Sequence, residues 1–311
     1  MRHCTDRLID YIERITAPQR DPWRRPLGYL ISFAALSLIA YVILSSRETI
    51  MVVLSGARWQ GMAPAIGLSL IAQAILPLGW YELLRRCGYS FPNLQIFRVY
   101  FITSVARYLP GGIWHFGGRL VWLRQLSVPP RVAGQTIVTE QLWVLWSALI
   151  VALFCIFVSS LDGVTRQVLL GLLCLTLLIA GSLLLSWMLI GSARYNLRSH
   201  LSIMTLPSLY SLFWLLNGIS LCMAMEALGW SGSMMEWLQV IGYVPLSWAI
   251  GYLVILSPGG LGIRESVLTA FLGTLVSLPA AATIALLSRL LMVISEGTWV
   301  FVLLRVPPSI R

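Results

Sequence analysis

The sequence has no lysine and few charged residues of any kind, since only 11% of its 311 residues are charged and all 22 basic residues are arginine. Soluble domains carry about 25% charged residues, so this shortage excludes an ordinary soluble globular protein. The hydrophobic fraction is correspondingly high, at 58%. We interpret the chain as an integral membrane protein, and we attribute the exclusive use of arginine to compositional bias rather than to function.

Motifs for catalysis and metal binding are also missing. The five cysteines and three histidines are scattered and show no metal-ligand spacing. There is no nucleotide-binding loop, zinc-protease motif, nucleophile elbow or ordered catalytic triad. We therefore predict no disulfide, no metal, no cofactor, no catalytic residue and no nucleic-acid partner, and we expect that the protein is not an enzyme.

The N-terminal segment, residues 1–26, is charged rather than apolar, with six arginines and four acidic residues. A signal peptide needs an apolar core, so this segment is not one. Leu8, Ile12 and Ile15 recur at helical spacing, with charged residues on the opposite face. The pattern predicts a short amphipathic helix on the cytoplasmic membrane surface, with a solvated cap as the alternative.

Six segments are apolar enough to cross a bilayer, which takes about 20 mostly apolar residues. These predicted spans cover residues 27–46, 61–83, 132–159, 167–190, 203–228 and 280–304. If the N-terminus is cytoplasmic, fourteen arginines lie on that side of the membrane and three on the other. The positive-inside rule therefore places both termini in the cytoplasm.

Two breaks interrupt the hydrophobic regions between these spans. They consist of Pro110, Gly111 and Gly112 and of Pro258, Gly259 and Gly260. Proline and glycine end helices, so each break separates two helical segments. The segment before the first break measures about 22 Å at 1.5 Å per residue, short of the roughly 30 Å hydrocarbon core. We predict that each break is the tip of a re-entrant hairpin.

The predicted order is span, span, hairpin and span, and it occurs twice. Because each half has an odd number of crossings, the second half enters the membrane from the opposite side, as in inverted-repeat transporters. The sequence thus predicts an all-α polytopic membrane protein of two inverted-topology repeats. After residues 1–26, the first repeat covers residues 27–160 and the second covers residues 161–305.

Ten charged residues lie within the predicted membrane zone, where each costs roughly 2.5–3.5 kcal/mol at mid-bilayer on the insertion scale. Such charges pair, face water or bind a ligand. Arginines beside a helix start suit an anion such as lipid phosphate, because the guanidinium and the helix dipole act together. The predicted substrate-binding residues are Arg107, His115, Arg119, Glu140, Arg264, Glu265, Arg289 and Glu296.

These residues have different predicted roles. Three arginines that flank the breaks, Arg107, Arg119 and Arg264, are expected to bind phosphate, the last two in a water-facing cavity. A switching charge network is expected for Glu140, Arg289 and Glu296, with plain salt bridges as the alternative. For His115 there are two alternatives, a structural residue with a satisfied polar contact and a proton relay.

At these residues the chain resembles the lysylphosphatidylglycerol synthase transmembrane-region family, also called flippase-like domain proteins. The matching pieces are Leu109–Gly112, followed by Gly118 and Arg119, then Glu140 on the next helix, and the string Pro258–Glu265. The last string is the most specific. The resemblance implies movement of polar or lipid-linked molecules across the bacterial inner membrane.

The leading hypothesis is therefore an inner-membrane flippase for a phospholipid or polyprenyl-phosphate-linked headgroup. In related resistance factors a similar domain is joined to a soluble synthase, and we expect this chain to be the translocating part alone. The alternatives are an intramembrane transferase, with Glu140, His115 or Glu265 as its base, and a non-transporting partner of an envelope-synthesis complex. The expected partners are the anionic lipid and the surrounding membrane lipids, and the sequence leaves open a homo-oligomer or an envelope-synthesis partner.

Overall fold

The computed structural model of the protein describes residues 58–108, 114–159, 205–254 and 262–305. In these ranges the chain forms eight α-helices and one 3-10 turn, Val105–Tyr108, and no strand. The helices are α1 Trp59–Arg86, α2 Asn93–Ser104, α3 Trp114–Gln125, α4 Pro130–Ser159, α5 Thr205–Ala227, α6 Met234–Leu253, α7 Ile263–Leu272 and α8 Leu278–Arg305. The N-terminal segment, the predicted spans 27–46 and 167–190 and both Pro-Gly-Gly breaks lie outside the described residues.

Four of the described helices, α1, α4, α5 and α8, are long and apolar enough to cross a membrane. They contain 28, 30, 23 and 28 residues, so at 1.5 Å per residue they are about 35–45 Å long. They coincide with the predicted spans 61–83, 132–159, 203–228 and 280–304. The prediction of an all-α, multi-pass membrane protein is therefore confirmed.

The helices that flank the breaks differ in length between the two halves. Those around the first break, α2 and α3, have 12 residues each, or about 18 Å at the α-helical rise. Those around the second, α6 and α7, have 20 and 10 residues, or about 30 Å and 15 Å. Helices α2, α3 and α7 are therefore too short to cross, whereas α6 is about as long as the hydrocarbon core but is not among the described helices that are long and apolar enough to cross a membrane. Helix α7 ends at Leu272, six residues before α8 begins.

Small residues allow α1 and α5 to pack closely, and this is the most extensive helix contact among the described residues. Gly61, near the start of α1, lies against Ala227 at the end of α5. Gly79, towards the end of α1, lies against Tyr210 near the start of α5. The two helices therefore run antiparallel. Close backbone approach through small residues is a common source of helix association in membranes, where lipid removes the hydrophobic driving force.

Hydroxyl groups join α1 to two of its neighbours. Ser220 on α5 donates a hydrogen bond to the Ala65 carbonyl at 2.7 Å. On the other side of α1, Ser295 of α8 donates to the Ser69 hydroxyl at 2.9 Å. These bonds satisfy polar groups inside the bundle, where no water competes for them.

The central helix of the packing is α4, which contacts helices from both halves of the chain. Gly242 on α6 fits against Ala152 and Cys155 of α4, so the two helices approach closely. The Trp214 indole of α5 donates to the Val144 carbonyl of α4 at 3.0 Å. Through these contacts α4 links the element that precedes the second break to the core of the bundle.

Side chains fix the starts of the two helices around the second break. Ser233 caps α6, and Glu236 accepts a hydrogen bond from the Ser233 backbone N–H at 2.6 Å, which completes a capping box. Gly262 precedes α7 with φ of 84°, a conformation that favours glycine. The Gly262 N–H donates to the Glu265 carboxylate at 2.8 Å. The end of the break is thus tied to a charged residue of the predicted site.

Candidate functional site

Arg119 on α3 and Glu140 on α4 form a fully buried ion pair. Arg119 Nη1 lies 2.6 Å from Glu140 Oε2, and the side chains are 1% and 0% exposed. The hydroxyl of Tyr100, on α2, donates to the other carboxylate oxygen at 2.7 Å. One carboxylate therefore ties α2, α3 and α4 together, and both of its oxygens are hydrogen-bonded.

Aromatic rings surround the Arg119 guanidinium. Its central carbon lies 3.7 Å from the centroid of the Tyr100 ring and 5.2 Å from that of Trp80. Both distances fall within the range of cation–π attraction. The sequence predicts that Arg119 faces a water-filled cavity, and in this respect it is wrong, because a side chain that is 1% exposed is packed inside protein. A replacement of Arg119 is therefore expected to affect folding as well as any transport.

Glu265 and Arg289 form a second ion pair, between α7 and α8. Arg289 Nη1 lies 3.3 Å from Glu265 Oε1, and the side chains are 11% and 5% exposed. The same carboxylate accepts the Gly262 N–H through its other oxygen. Glu265 therefore both caps α7 and connects that helix to α8.

A third ion pair crosses between the two halves. Arg107, in the 3-10 turn just before the first break, places Nη1 at 2.9 Å from Glu296 Oε1 on α8. The side chains are 19% and 6% exposed, so this is the least buried of the three pairs. The contact connects the chain at the first break to the last helix of the second half.

Arg264 lies on the wall of a small polar cavity. It is buried, and Nη1 approaches the Met292 sulfur at 3.3 Å. The backbone of Arg264 packs directly against Gly251 of α6, so closely that there is no room for a side chain at position 251. Three serines and an asparagine share the cavity wall, namely Ser69, Asn217, Ser220 and Ser288. The sequence analysis missed these four residues, although small polar residues inside apolar spans are a recognisable signal.

His115 is buried at 9% exposure near the start of α3, and its ring centroid lies 3.8 Å from that of Phe116. This packing tests neither the satisfied polar contact nor the proton relay. The predicted hinge residues of both breaks lie outside the described residues.

The first two ion pairs have the same plan with reversed charges. In the first half the short helix after the break carries the arginine, Arg119, and the following long helix carries the glutamate, Glu140. In the second half the short helix carries Glu265 and the long helix carries Arg289. The sequence did not predict this reversal, because a single chain does not show which charges pair.

Comparison with known proteins places the chain in a family. Residues 27–296 match the family described as Lysylphosphatidylglycerol synthase TM region, which covers most of the chain. The protein is thus a multi-pass membrane protein, and it belongs to the lysylphosphatidylglycerol synthase transmembrane-region family. A search of curated proteins gave no significant match. The family is consistent with a lipid-related function in the membrane.

Proposed function

We propose that the protein is a lipid flippase, which moves an anionic phospholipid or polyprenyl-phosphate-linked headgroup across the bacterial inner membrane. The headgroup would pass through the polar interior of the bundle while the acyl chains stay in lipid. No catalytic role is assigned to any residue.

The observation that carries this proposal is the set of three Arg–Glu pairs between break-flanking segments and long helices, two of them buried and the third partly buried. They are Arg119 with Glu140, Arg289 with Glu265 and Arg107 with Glu296. Charges inside a membrane are costly and mark the pathways of polar substrates. Because a guanidinium carries five N–H donors, an arginine of such a pair can bond a passing lipid phosphate while it keeps its glutamate, so no buried charge is left uncompensated.

An inverted repeat would give such a pathway two access sides, and the helix packing supports this part of the proposal. The helices that would correspond, α1 and α5, are antiparallel partners at the centre of the bundle. Contacts also occur in matching sets, since α4 packs on α5 as α8 packs on α1, and α3 packs on α4 as α7 packs on α8. A two-fold rotation that exchanges the halves turns each contact into its counterpart in the other half.

Reconstitution in vesicles tests the transport step. Purified protein in phosphatidylcholine vesicles, with a trace of fluorescent phosphatidylglycerol, should let dithionite bleach clearly more than the outer-leaflet half of the fluorescence. Arg107→Gln should slow this bleaching at least tenfold, because it removes the Arg107–Glu296 ion pair, which connects the two halves and is the most exposed of the three pairs. Arg85→Gln is the matched control, since Arg85 is 60% exposed at the end of α1.

The alternatives are outcomes of the same experiment. Mass spectrometry of the vesicle lipids would reveal a new lipid product if the protein were a transferase. Transport seen in native membranes but not with the purified protein would indicate that a partner is needed. Bleaching no greater than in protein-free vesicles, in both settings, would reject the flippase.

The proposed orientation has both termini in the cytoplasm and the loop between α5 and α6 outside. Ser231 in that loop is exposed. Ser231→Cys, in a background where the exposed Cys87 is replaced by Ser, should react with an impermeant thiol reagent in cells whose outer membrane is permeabilised. Labelling only after the inner membrane is broken would reverse the orientation.

A further inference from the structure

A cavity of about 10 Å³ lies where five helices meet, α1, α5, α6, α7 and α8. This volume holds about one water molecule or one oxygen atom of a larger group. Its polar wall consists of Ser69 from α1, Asn217 and Ser220 from α5, Arg264 from α7 and Ser288 from α8. Three aliphatic side chains complete the lining. The cavity therefore collects polar groups from both halves of the chain at one point.

The charge of the cavity wall favours an anion. Arg264 is the one residue with a formal charge among those that line it, and it is 6% exposed. Ser69 and Ser220 are exposed by only 1% and 2%. In such a dry environment a guanidinium interacts strongly with a negative group and repels a cation. The arginine fork also suits the oxygens of phosphate better than a spherical ion.

The uncharged groups can supply additional hydrogen bonds. The Ser69 hydroxyl accepts a hydrogen bond from Ser295 at 2.9 Å, and the bond that it donates, to the Leu291 carbonyl, is long at 3.4 Å. The Ser288 hydroxyl donates to a carbonyl of its own helix, three residues earlier. Such local bonds are weak and are readily exchanged for a charge-assisted bond to an anionic oxygen. The Asn217 amide uses one N–H for the Phe213 carbonyl, and an amide nitrogen carries two.

We propose that this cavity is an oxyanion subsite that takes one oxygen of a phosphate group. Arg264 supplies the positive charge, and Ser69, Ser288 and Asn217 supply uncharged hydrogen bonds. The space admits a single oxygen, so the rest of the phosphate lies outside it. The statement that this phosphate belongs to a lipid rests on the proposed function. The binding of free inorganic phosphate does not depend on that function.

Thermal unfolding of the purified full-length protein in an uncharged detergent tests the subsite. The probes are dioleoyl phosphatidic acid against dioleoylglycerol, and sodium phosphate against sodium chloride at equal ionic strength. Because a ligand that binds the folded state stabilises it, phosphatidic acid should raise the Tm and dioleoylglycerol should not. An increase with sodium phosphate as well would identify a site open to free phosphate. No increase with either phosphate source would overturn the proposal.

Variants separate the subsite from general lipid binding. The double variant Ser69→Ala with Ser288→Ala should weaken phosphatidic acid binding about tenfold, which corresponds to roughly 1.4 kcal/mol from two hydrogen bonds. Arg264→Gln should abolish it. Ser147→Ala is the control, because Ser147 is equally buried and makes the same kind of bond to a carbonyl three residues earlier, but on α4 and away from the cavity. Wild-type binding by the double variant would disprove the assignment, even if Arg264→Gln fails to fold.

The binding and transport results can be told apart. Normal flipping by the wild type without a phosphate-dependent Tm increase would reject the subsite and leave the proposed function standing. A phosphate-dependent increase without flipping would support the subsite and reject the flippase.

Discussion

The Arg119–Glu140 pair in the first half and the Arg289–Glu265 pair in the second join the same kinds of element, a short helix after a break and the long helix that follows it. The N–O distance is 2.6 Å in the first pair and 3.3 Å in the second. The first pair is closed off from solvent, with exposures of 1% and 0%, while the second has 11% and 5%. Tyr100 completes the first pair, whereas the second is completed by the cap of α7.

The comparison indicates that two similar ion pairs serve different purposes. A buried pair is stable only when its geometry is good and its remaining polar atoms are hydrogen-bonded. In the first pair the distance is short and both carboxylate oxygens are hydrogen-bonded, one to Arg119 and one to Tyr100, although the buried Arg119 Nε has no hydrogen-bond partner among the described residues. We infer that this pair holds α2, α3 and α4 as a fixed unit. The second pair is longer and more accessible, on the same short helix as the Arg264 cavity. For the transport that we propose, we infer that the second half is the one that rearranges.

The largest effect is expected from Glu140→Gln. The change leaves the Arg119 guanidinium buried without its countercharge, which costs about 3–5 kcal/mol of the free energy of unfolding. Chemical denaturation of the purified protein in detergent measures it. Glu82→Gln is the control, since Glu82 pairs with Arg86 near the end of α1, where its side chain is 14% exposed. If the two variants were equally stable, the first pair would not be the fixed one.

A smaller loss is expected from Arg289→Gln. Its ion pair is longer and partly accessible, so the loss in unfolding free energy should be about 2 kcal/mol, the range of a hydrogen bond to a charged group. The same denaturation experiment compares it with Glu140→Gln. A larger loss for Arg289→Gln than for Glu140→Gln would reverse the assignment of fixed and mobile halves.

Two glycine replacements test the packing of the helices that flank the two breaks. A Cβ at Gly251 would lie 3.0 Å from the Arg264 Cβ and 3.3 Å from its Cα, so α7 itself would have to move. A Cβ at Gly118 would meet only the side chain of Thr103, at 3.0 Å. Gly251→Ala should cost about 1 kcal/mol net, because overpacking exceeds the gain in helix propensity.

For Gly118→Ala the gain in helix propensity, up to about 1 kcal/mol, should roughly balance the contact with Thr103. Thermal unfolding of both variants measures the difference. Equal Tm values for the two proteins would show that the α6–α7 contact is no more constrained than the α2–α3 contact.

The smallest effect concerns the start of α6. Glu236 is exposed, and its pKa is lowered because its carboxylate accepts the backbone N–H and interacts with the hydroxyl of Ser233. A lowered pKa means that the cap is fully effective above the ordinary pKa of the carboxyl and is lost as the pH falls through the lowered value. The start of α2, after Pro92, has no side-chain cap.

Hydrogen exchange should therefore show increasing opening of residues 234–237 at pH below 4.5, the ordinary carboxyl pKa, after correction for intrinsic exchange rates. The first turn of α2 should change little over the same range. Glu236→Gln should remove most of the difference. An unchanged pH profile in that variant would assign the opening to another group.

Much of the fold could be predicted from the sequence, because the relevant signals are local. Apolar runs of about 20 residues identify spans regardless of their neighbours, and all four long helices of the described ranges were found in this way. Helix α6 continues through Pro245 and Gly251. Inside a packed bundle, neighbouring helices compensate for such residues.

The candidate site was predicted only as a set of charges. Arg107, Arg119, Glu140, Arg264, Glu265, Arg289 and Glu296 were all singled out, because a charge in an apolar segment is conspicuous. The environment of these charges was not predicted. Arg119 is the clearest case, because it was expected to face water and instead packs against aromatic rings. No pattern near Arg119 in the chain indicates that Trp80 and Tyr100 pack around it.

The sequence by itself determined that the protein is helical, crosses the membrane several times, belongs to its family and carries charges beside two breaks. Hydropathy, proline and glycine act over a few turns of chain, so these properties need no tertiary information. Only the tertiary structure decided which arginine pairs with which glutamate. The partners are 21, 24 and 189 positions apart, and such pairings depend on how close glycines and serines let the helices approach. The same packing created the cavity at Arg264, whose wall is assembled from five separate helices.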